Sequence, residues 1–307
     1  MRVRIIDLDG AVTGQPQVPY WLQDMGGEII AAQDLAPKLR LLAQPAALRT
    51  LAGRLGPVWE PELVFYGSGD FHHLTLMLAL RLEQKVSIIH FDNHPDWVGL
   101  PANLNCGSWV SRALTHESVA RIVTIGPASD DMRAPQLKGG DLSGLRAGRQ
   151  EMHAFASGRT FYAGTGFDAP GACASRGIGR DSLHWQGLEG DDWHARMAAI
   201  AERLPDAPLW ITLDKDVLTP DEAVTNWDQG RLTLEQVFLA IALFAARRPV
   251  LGMDVCGDYS PDAGLGLVRA VLAHSDRAQR PVPAAPGTAL NGTTNARIVL
   301  RMAGMLQ

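Results

Sequence analysis

The chain has 307 residues, 46% hydrophobic and 20% charged, with a formal net charge of −5. It can bury a large core as one domain or two tightly joined ones, which excludes a minimal binding module. The modest acidity and the lack of an extended Lys/Arg block argue against nucleic acid as a partner.

The first residues, Met1 to Asp7, turn acidic too soon for a secretory signal, and Val3–Ile6 reads as a first strand. Further short Val/Ile/Leu-rich runs follow at Leu63–Tyr66, Val86–Phe91, Arg121–Ile125, Thr160–Ala163, Leu209–Leu213 and Val250–Val255. Such runs are the signature of parallel strands buried on both faces. Helix-length segments lie between many of them: His73–Gln84, Trp109–His116, Trp193–Leu204 and Thr233–Ala246. The alternation predicts an α/β fold, a three-layer α/β/α sandwich, with ligands beyond the carboxyl ends of the strands.

Arg133–Arg149 reads as a surface excursion, and Arg280–Gly292, with three prolines, as an exposed linker before a last apolar segment, Ala296–Met305. The most apolar later stretch, Leu234–Ala246, contains Glu235 and Gln236 and is too short to span a bilayer, so no membrane partner is expected. Cys106, Cys173 and Cys256 are widely spaced and form no Cys-x-x-Cys pair. That pattern fits a reducing, cytoplasmic compartment rather than a disulfide framework or a structural zinc site.

Two strand ends carry unusual chemistry. Phe91-Asp92-Asn93-His94-Pro95-Asp96 follows the run Val86–Ile89, and Asp214-Lys215-Asp216 follows Leu209–Leu213. In an extended segment alternate side chains share a side, so Asp92, His94 and Asp96 can converge on one point, as can Asp214 and Asp216. His72, after Gly69-Asp70-Phe71, stands at a third strand end. Singly, such residues are often solvated strand ends; together, four carboxylates and two imidazoles call for divalent cations. Mixed oxygen and nitrogen ligation suits Mn²⁺, Fe²⁺, Co²⁺ or Zn²⁺ better than Mg²⁺.

These motifs resemble the ureohydrolase family of arginases, agmatinases and formiminoglutamases. The segments that carry the likeness are Gly67-Ser68-Gly69-Asp70-Phe71-His72-His73, Asp92-Asn93-His94-Pro95-Asp96, Thr212-Leu213-Asp214-Lys215-Asp216-Val217-Leu218-Thr219-Pro220 and Gly252-Met253-Asp254-Val255-Cys256-Gly257-Asp258. The resemblance runs from about residue 63 to 262 and implies one arginase-like domain over 1–307, with a mainly parallel sheet of about eight strands.

It further implies two Mn²⁺ ions, with Fe²⁺, Co²⁺, Ni²⁺ or Zn²⁺ as alternatives. One would be held by His72 (or His73), Asp92, Asp96 and Asp214, the other by Asp92, His94, Asp214 and Asp216. A bridging hydroxide, oriented by Asp96, would attack the carbon of a guanidino, amidino or formimino compound, in a homo-oligomer.

The chain departs from the family pattern at four places. Phe71 is inserted before the first histidine, and Cys106 stands where many members have a proton-shuttling His. Trp227 and Asp228 enter the loop after the second motif, where they could stack on and neutralise a cationic substrate. The last-strand carboxylate that would hold the guanidinium is displaced to Asp258.

Three other readings compete, of which the zinc deacetylases, similar in architecture, need only one metal and leave the six-ligand set unexplained. Asp7-Leu8-Asp9-Gly10, with Gly257–Asp262, resembles haloacid-dehalogenase-type phosphatases, with Asp7 as nucleophile and Asp9 as general acid. The loss of the His at Cys106 keeps open a non-catalytic metal-binding paralogue. Gly164-Thr165-Gly166 is too incomplete for a nucleotide loop and reads as a turn.

Overall fold

The computed structural model describes residues 1–99, 103–161, 166–177, 180–190, 192–261 and 287–306. Its centre is a sheet of eight parallel strands: β1 (Arg2–Asp7), β2 (Glu28–Ala31), β3 (Glu62–Phe65), β4 (Val86–Phe91), β5 (Val119–Ile125), β6 (Gln150–His153), β10 (Leu209–Asp214) and β11 (Val250–Cys256). Their order across the sheet is β2-β1-β3-β11-β10-β4-β5-β6, and every neighbouring pair is parallel. A separate antiparallel sheet holds β7 (Gly158–Phe161), β8 (Ala172–Gly177) and β9 (Arg180–Trp185).

The alternation of side chains along each strand explains why the sheet is covered twice. Val3, Ile5, Leu63, Phe65, Ile89, Ile211 and Val255 face one core, with Met197 and Ile200, Val237 and Ile241, and Ile298 and Met302 from the helices Trp193–Glu202, Leu234–Ala245 and Thr288–Ala303. The intervening residues Val64, Tyr66, Ile88, Ile122 and Trp210 face the other core, against Leu51, Leu74, Leu78 and Val110. The result is the three-layer α/β/α sandwich. The helix Leu234–Ala245 opens with a capping box in which Thr233 accepts from the Gln236 amide and Gln236 accepts from the Thr233 amide.

Four differences from expectation emerge. The segment at Thr160 belongs to the small antiparallel sheet, not the central one. β2 and β6 were not foreseen: both are four residues long, and β6, Gln-Glu-Met-His, has an all-buried pattern that its composition hides. The excursion around 133–149 is partly packed, with Leu142, Leu145 and Met132 buried in a third apolar cluster with Trp97 and Trp185. Of the expected linker, Thr288–Gly292 is already helix, with Asn291 and Gly292 buried. Residues 280–286, Gly164, Thr165 and Asp262 lie outside the described residues.

No helix among the described residues is long and apolar enough to cross a membrane. The parallel arrangement brings the carboxyl ends of β3, β11, β10 and β4 side by side at the middle of the sheet.

At that centre Gly252 of β11 packs under the indole of Trp210: a Cβ there would lie 2.4 Å from Cζ3 of the ring. Gly252→Val is therefore expected to destabilise by about 1–3 kcal/mol through overpacking. Urea denaturation should show a lowered midpoint at unchanged slope.

Candidate metal centre

Two similar turns carry the acidic residues. β4 ends at Phe91, and Asp92 Oδ1 then accepts the His94 amide at 2.6 Å. β10 ends at Asp214, whose Oδ1 accepts the Asp216 amide at 3.0 Å, opening a 3₁₀ turn over Lys215–Val217. Convergence therefore comes from side-chain-stabilised turns rather than from the pleat of an extended strand. Asp96, just past Pro95, takes a left-handed backbone with φ of +48°, an uncommon conformation for a residue with a side chain.

The inserted Phe71 is absorbed in a second 3₁₀ turn, Gly69–Phe71, where it is buried beneath the Arg40 guanidinium at 5.0 Å. That turn delivers His72 as the histidine whose ring closes on the carboxylates. Two glycines let the chain crowd Asp214: a Cβ on Gly69 would lie 2.5 Å from its Oδ2, and one on Gly257 2.3 Å from its Oδ1.

His72 Nδ1 lies 2.9 Å from Asp92 Oδ2, 3.2 Å from Asp96 Oδ2 and 3.6 Å from Asp214 Oδ2. His94 Nδ1 lies 2.9 Å from Asp216 Oδ2 and 3.5 Å from Asp92 Oδ1. Asp92 thus touches both groups, one through each oxygen. Asp214 joins the first through Oδ2 while its Oδ1 serves the turn. All six residues are buried, none more than 7% exposed.

The neighbours of the four carboxylates include imidazoles, backbone amides, an indole and a thiol: a donor set that fits divalent cations and leaves four buried negative charges short of compensation.

A further layer orients these donors. Nε2 of His72 is 2.9 Å from Thr212 Oγ1. The hydroxyls of Thr212, Thr75 and Tyr66 donate to Asp254 Oδ1 at 2.7, 2.9 and 2.8 Å, and Trp210 Nε1 donates to its Oδ2 at 2.5 Å. This network leaves Nδ1 of His72 to face the carboxylates, the carboxylate–histidine relay common at metal sites. Trp109 Nε1 donates to Asp96 Oδ2 at 2.7 Å.

Two groups absent from the expected set join the cluster. His90 Nε2 is 2.9 Å from Asp92 Oδ2 and 4.0 Å from Asp96 Oδ2, and the Cys256 thiol donates to Asp214 Oδ2 at 3.2 Å. Donor atoms fall into three compact sets: His72, His90, Asp92 and Asp96; Asp92, His94 and Asp216; His72, Asp214 and Cys256. His90 precedes Asp92 by two residues, so the same period-two reasoning extends to it.

Burial disfavours the imidazolium of His72, yet Asp92 and Asp96 hold it well above the usual range; Asp216 does the same for His94. Burial and the charge of Asp92 push Asp96 up to about 7, and burial with Asp214 and Asp92 raises Asp216 well above the carboxylate range. Asp92 itself, although buried, is held well below that range by His72, His90 and His94, and burial lowers His90 to about 4. Without ions, protons take the place of cations in the cluster.

The remaining expected site residues are distributed around this centre. Trp227 donates to Asp70 Oδ1 at 3.2 Å and meets the His94 ring edge-on at 5.5 Å between centroids. Asp228 Oδ1 is 2.8 Å from His94 Nε2, and its Oδ2 accepts from Asn93 at 3.2 Å, so this carboxylate orients a histidine.

Asp258 differs from the expectation. It is fully buried and accepts from Lys215 Nζ at 2.5 Å, Gln15 at 2.7 Å and Asn295 at 3.2 Å. Lys215 points the opposite way from its neighbours Asp214 and Asp216, and it has already taken the charge that a guanidinium would need. Cys106 opens a 3₁₀ turn, Cys106–Ser108, partly buried and outside the three donor sets.

Asp7 is tied to Gly10 and Thr13, and Asp9 forms a buried ion pair with Arg40 at 3.1 Å. Arg40 also binds Asp70 at 3.0 Å, which leads to Trp227. The Asp7-Leu8-Asp9 motif therefore braces the loop after β3. A separate cavity of about 330 Å³, lined by His153, Gln186, Arg196 and Arg203 among others, includes none of the cluster residues.

The fold has counterparts among solved structures. Arginase from Bacillus subtilis superposes with a TM-score of 0.57 at 15% identity, covering 99% of each chain. The proclavaminate amidino hydrolase of Streptomyces clavuligerus gives 0.56 at 14% identity, covering 98% of this chain and 91% of that one. Arginase from Medicago truncatula gives 0.55 at 13% identity, covering 98% and 87%. The chain has the ureohydrolase fold.

By sequence it is 25% identical over 199 residues to an uncharacterized protein of Thermotoga maritima, a match that spans 65% of this chain and 59% of that protein. No protein-family model matches the chain.

In protein stripped of metal, His72 and His94 hold protons that the unfolded chain releases near pH 6.5, and the raised carboxyls of Asp96 and Asp216 hold protons that it releases near pH 4. Stability should then fall as pH rises above 6.5 toward the raised values of His72 and His94, by about 1.4 kcal/mol per pH unit for each net proton retained, with Asp96 adding to the fall only up to about pH 7. The opposing shifts of His90 and Asp92 act below that window. Thermal denaturation of chelator-treated protein across it checks the sign.

Proposed function

We propose that this chain is a divergent ureohydrolase, a single arginase-like unit over 1–307. In this reading it is a binuclear metallohydrolase that cleaves the linear C–N bond of a small guanidino, amidino or formimino compound. The observation that carries this reading is the buried set of four aspartates and its histidines at the carboxyl edge of an arginase-type sheet. His72, Asp92, Asp96 and Asp214 would hold one ion, and Asp92, His94, Asp214 and Asp216 the other. Mn²⁺ is the ion that the family likeness favours. Two such ions, once bound, supply Lewis-acid polarisation and water ionised near neutral pH.

The chain's own residues would do the rest. Asp96 sits in its left-handed turn with one oxygen fixed by Trp109, and in this reading it would accept a hydrogen bond from the attacking water. Trp227, held by Asp70 and edge-on to His94, and the partly exposed Asp228 would form the wall nearest the substrate. Asp258 is not assigned to the substrate, because Lys215 neutralises it from behind the Asp214–Asp216 turn. Selectivity would then rest on the Trp227–Asp228 loop, and arginine itself is not the favoured member of the substrate class.

Metal analysis of protein supplemented with Mn²⁺ should give two ions per chain, falling below one in Asp92→Ala and Asp214→Ala. Release of urea or ammonia from a panel of guanidino, amidino and formimino compounds identifies the substrate. Metal content near zero would overturn the metallohydrolase reading, and two ions with no turnover on any compound would leave a metal-binding paralogue. Asp228→Asn should raise KM on the responsive compound about tenfold or more if the carboxylate serves the substrate. It should lower kcat with little change in KM if Asp228 acts only by orienting His94.

A further inference from the structure

The two metal positions have unlike surroundings. The position at His72 is flanked on one side by His90, whose Nε2 lies 2.9 Å from Asp92 Oδ2 and whose ring is 5.1 Å from that of His72. On the other side Cys256 Sγ lies 3.2 Å from Asp214 Oδ2, the same oxygen that is 3.6 Å from His72 Nδ1. Donor atoms of Cys256, His72 and Asp214 lie within 4.8 Å of one another, and those of His90, His72, Asp92 and Asp96 form a second such set that shares His72. With metal–sulfur bonds near 2.3 Å and metal–nitrogen or oxygen bonds near 2.0 Å, ligand atoms at near-tetrahedral angles are separated by about 3.3–3.5 Å, the larger value where one of them is sulfur. The observed sulfur–oxygen spacing of 3.2 Å and nitrogen–oxygen spacing of 3.6 Å each lie within about 0.4 Å of those values. The position at His94 has one imidazole, with Asp92 and Asp216.

Cys256 is held in place by the fold and is not a solitary thiol. It is the last residue of β11, on the same face as Asp254, fully buried in the core that contains Tyr66 and Trp210. The next residue, Gly257, has φ of +86° and no side chain, which lets this strand end pass against Asp214; a Cβ there would strike its Oδ1. The chain therefore turns at a glycine where the sulfur meets the cluster.

Building on the binuclear reading above, we propose that Cys256 is a thiolate ligand of the position at His72 and makes the centre asymmetric. With a thiolate and one or two imidazoles, that position would select a borderline ion such as Zn²⁺, Fe²⁺ or Co²⁺. The carboxylate-rich position at His94 would accept Mn²⁺. Binding at the first position displaces the thiol proton to solvent.

The test loads chelator-stripped protein with Co²⁺ and reads metal stoichiometry together with near-ultraviolet absorption. Two cobalt ions per chain with a thiolate-to-cobalt charge-transfer band are expected in the native sequence. The band should persist in a Cys106→Ser, Cys173→Ser double variant and vanish in Cys256→Ser. In competition, Cys256→Asp should move the preference for Zn²⁺ over Mn²⁺ at one position by about tenfold or more toward Mn²⁺.

Two bound cobalt ions without the band, or a band that survives Cys256→Ser, would overturn the assignment while leaving the binuclear centre standing. Failure to bind cobalt at all would overturn both. If Cys256→Ser does not fold, the native spectrum and its persistence in the double variant still decide.

Discussion

Mutual repulsion among four buried aspartates is the constraint around which this molecule is arranged. Two like charges about 4 Å apart cost about 4 kcal/mol even at the effective dielectric of a protein surface, and more where water is excluded. The fold nonetheless drives Asp92, Asp96, Asp214 and Asp216 together by turning the chain at the ends of β4 and β10 and crowding two glycines against Asp214. Protons shared with His72 and His94 offset part of that repulsion in the absence of ions. Divalent cations would offset it fully.

Around the cluster, other charges are neutralised locally and so do not compete for it. Lys215 and Asp258 pair behind the second turn, and Arg40 ties Asp9 to Asp70 beneath the first histidine. The buried Asp254 gathers three hydroxyls and an indole N–H, and through Thr212 it fixes the ring of His72. These three arrangements turn residues that resemble catalytic motifs in sequence into supports. Asp258 illustrates the point: the motif resemblance offered it as a substrate-binding carboxylate, yet Lys215, between Asp214 and Asp216, has taken its charge.

Much of this was legible in the sequence because strand ends in a parallel sheet are marked twice, by an apolar run and by the polar residues that stop it. Phe91–Asp96 and Leu213–Asp216 both read that way, and the order of elements predicted the layered fold. The short edge strands β2 and β6 were hidden because four residues with polar members carry too little periodicity. His90 and Cys256 were hidden for a different reason. Each sits in an apolar strand, where a histidine or cysteine is ordinarily a core residue; His90 lies two residues before Asp92 in the run that ends there, and the pairing of β10 with β11 brings Cys256 beside Asp214. The inward turn of Asp258 depends on Asn295 and Gln15, distant in sequence.

Anomalous X-ray diffraction from crystals grown with a transition metal tests the central claim most directly. Two peaks about 3.5–4 Å apart are expected, with Asp92 in contact with both and His72 and His94 on opposite sides. A cluster free of anomalous density, its carboxylates still closed on protonated His72 and His94, would contradict the claim that this arrangement is built to hold cations.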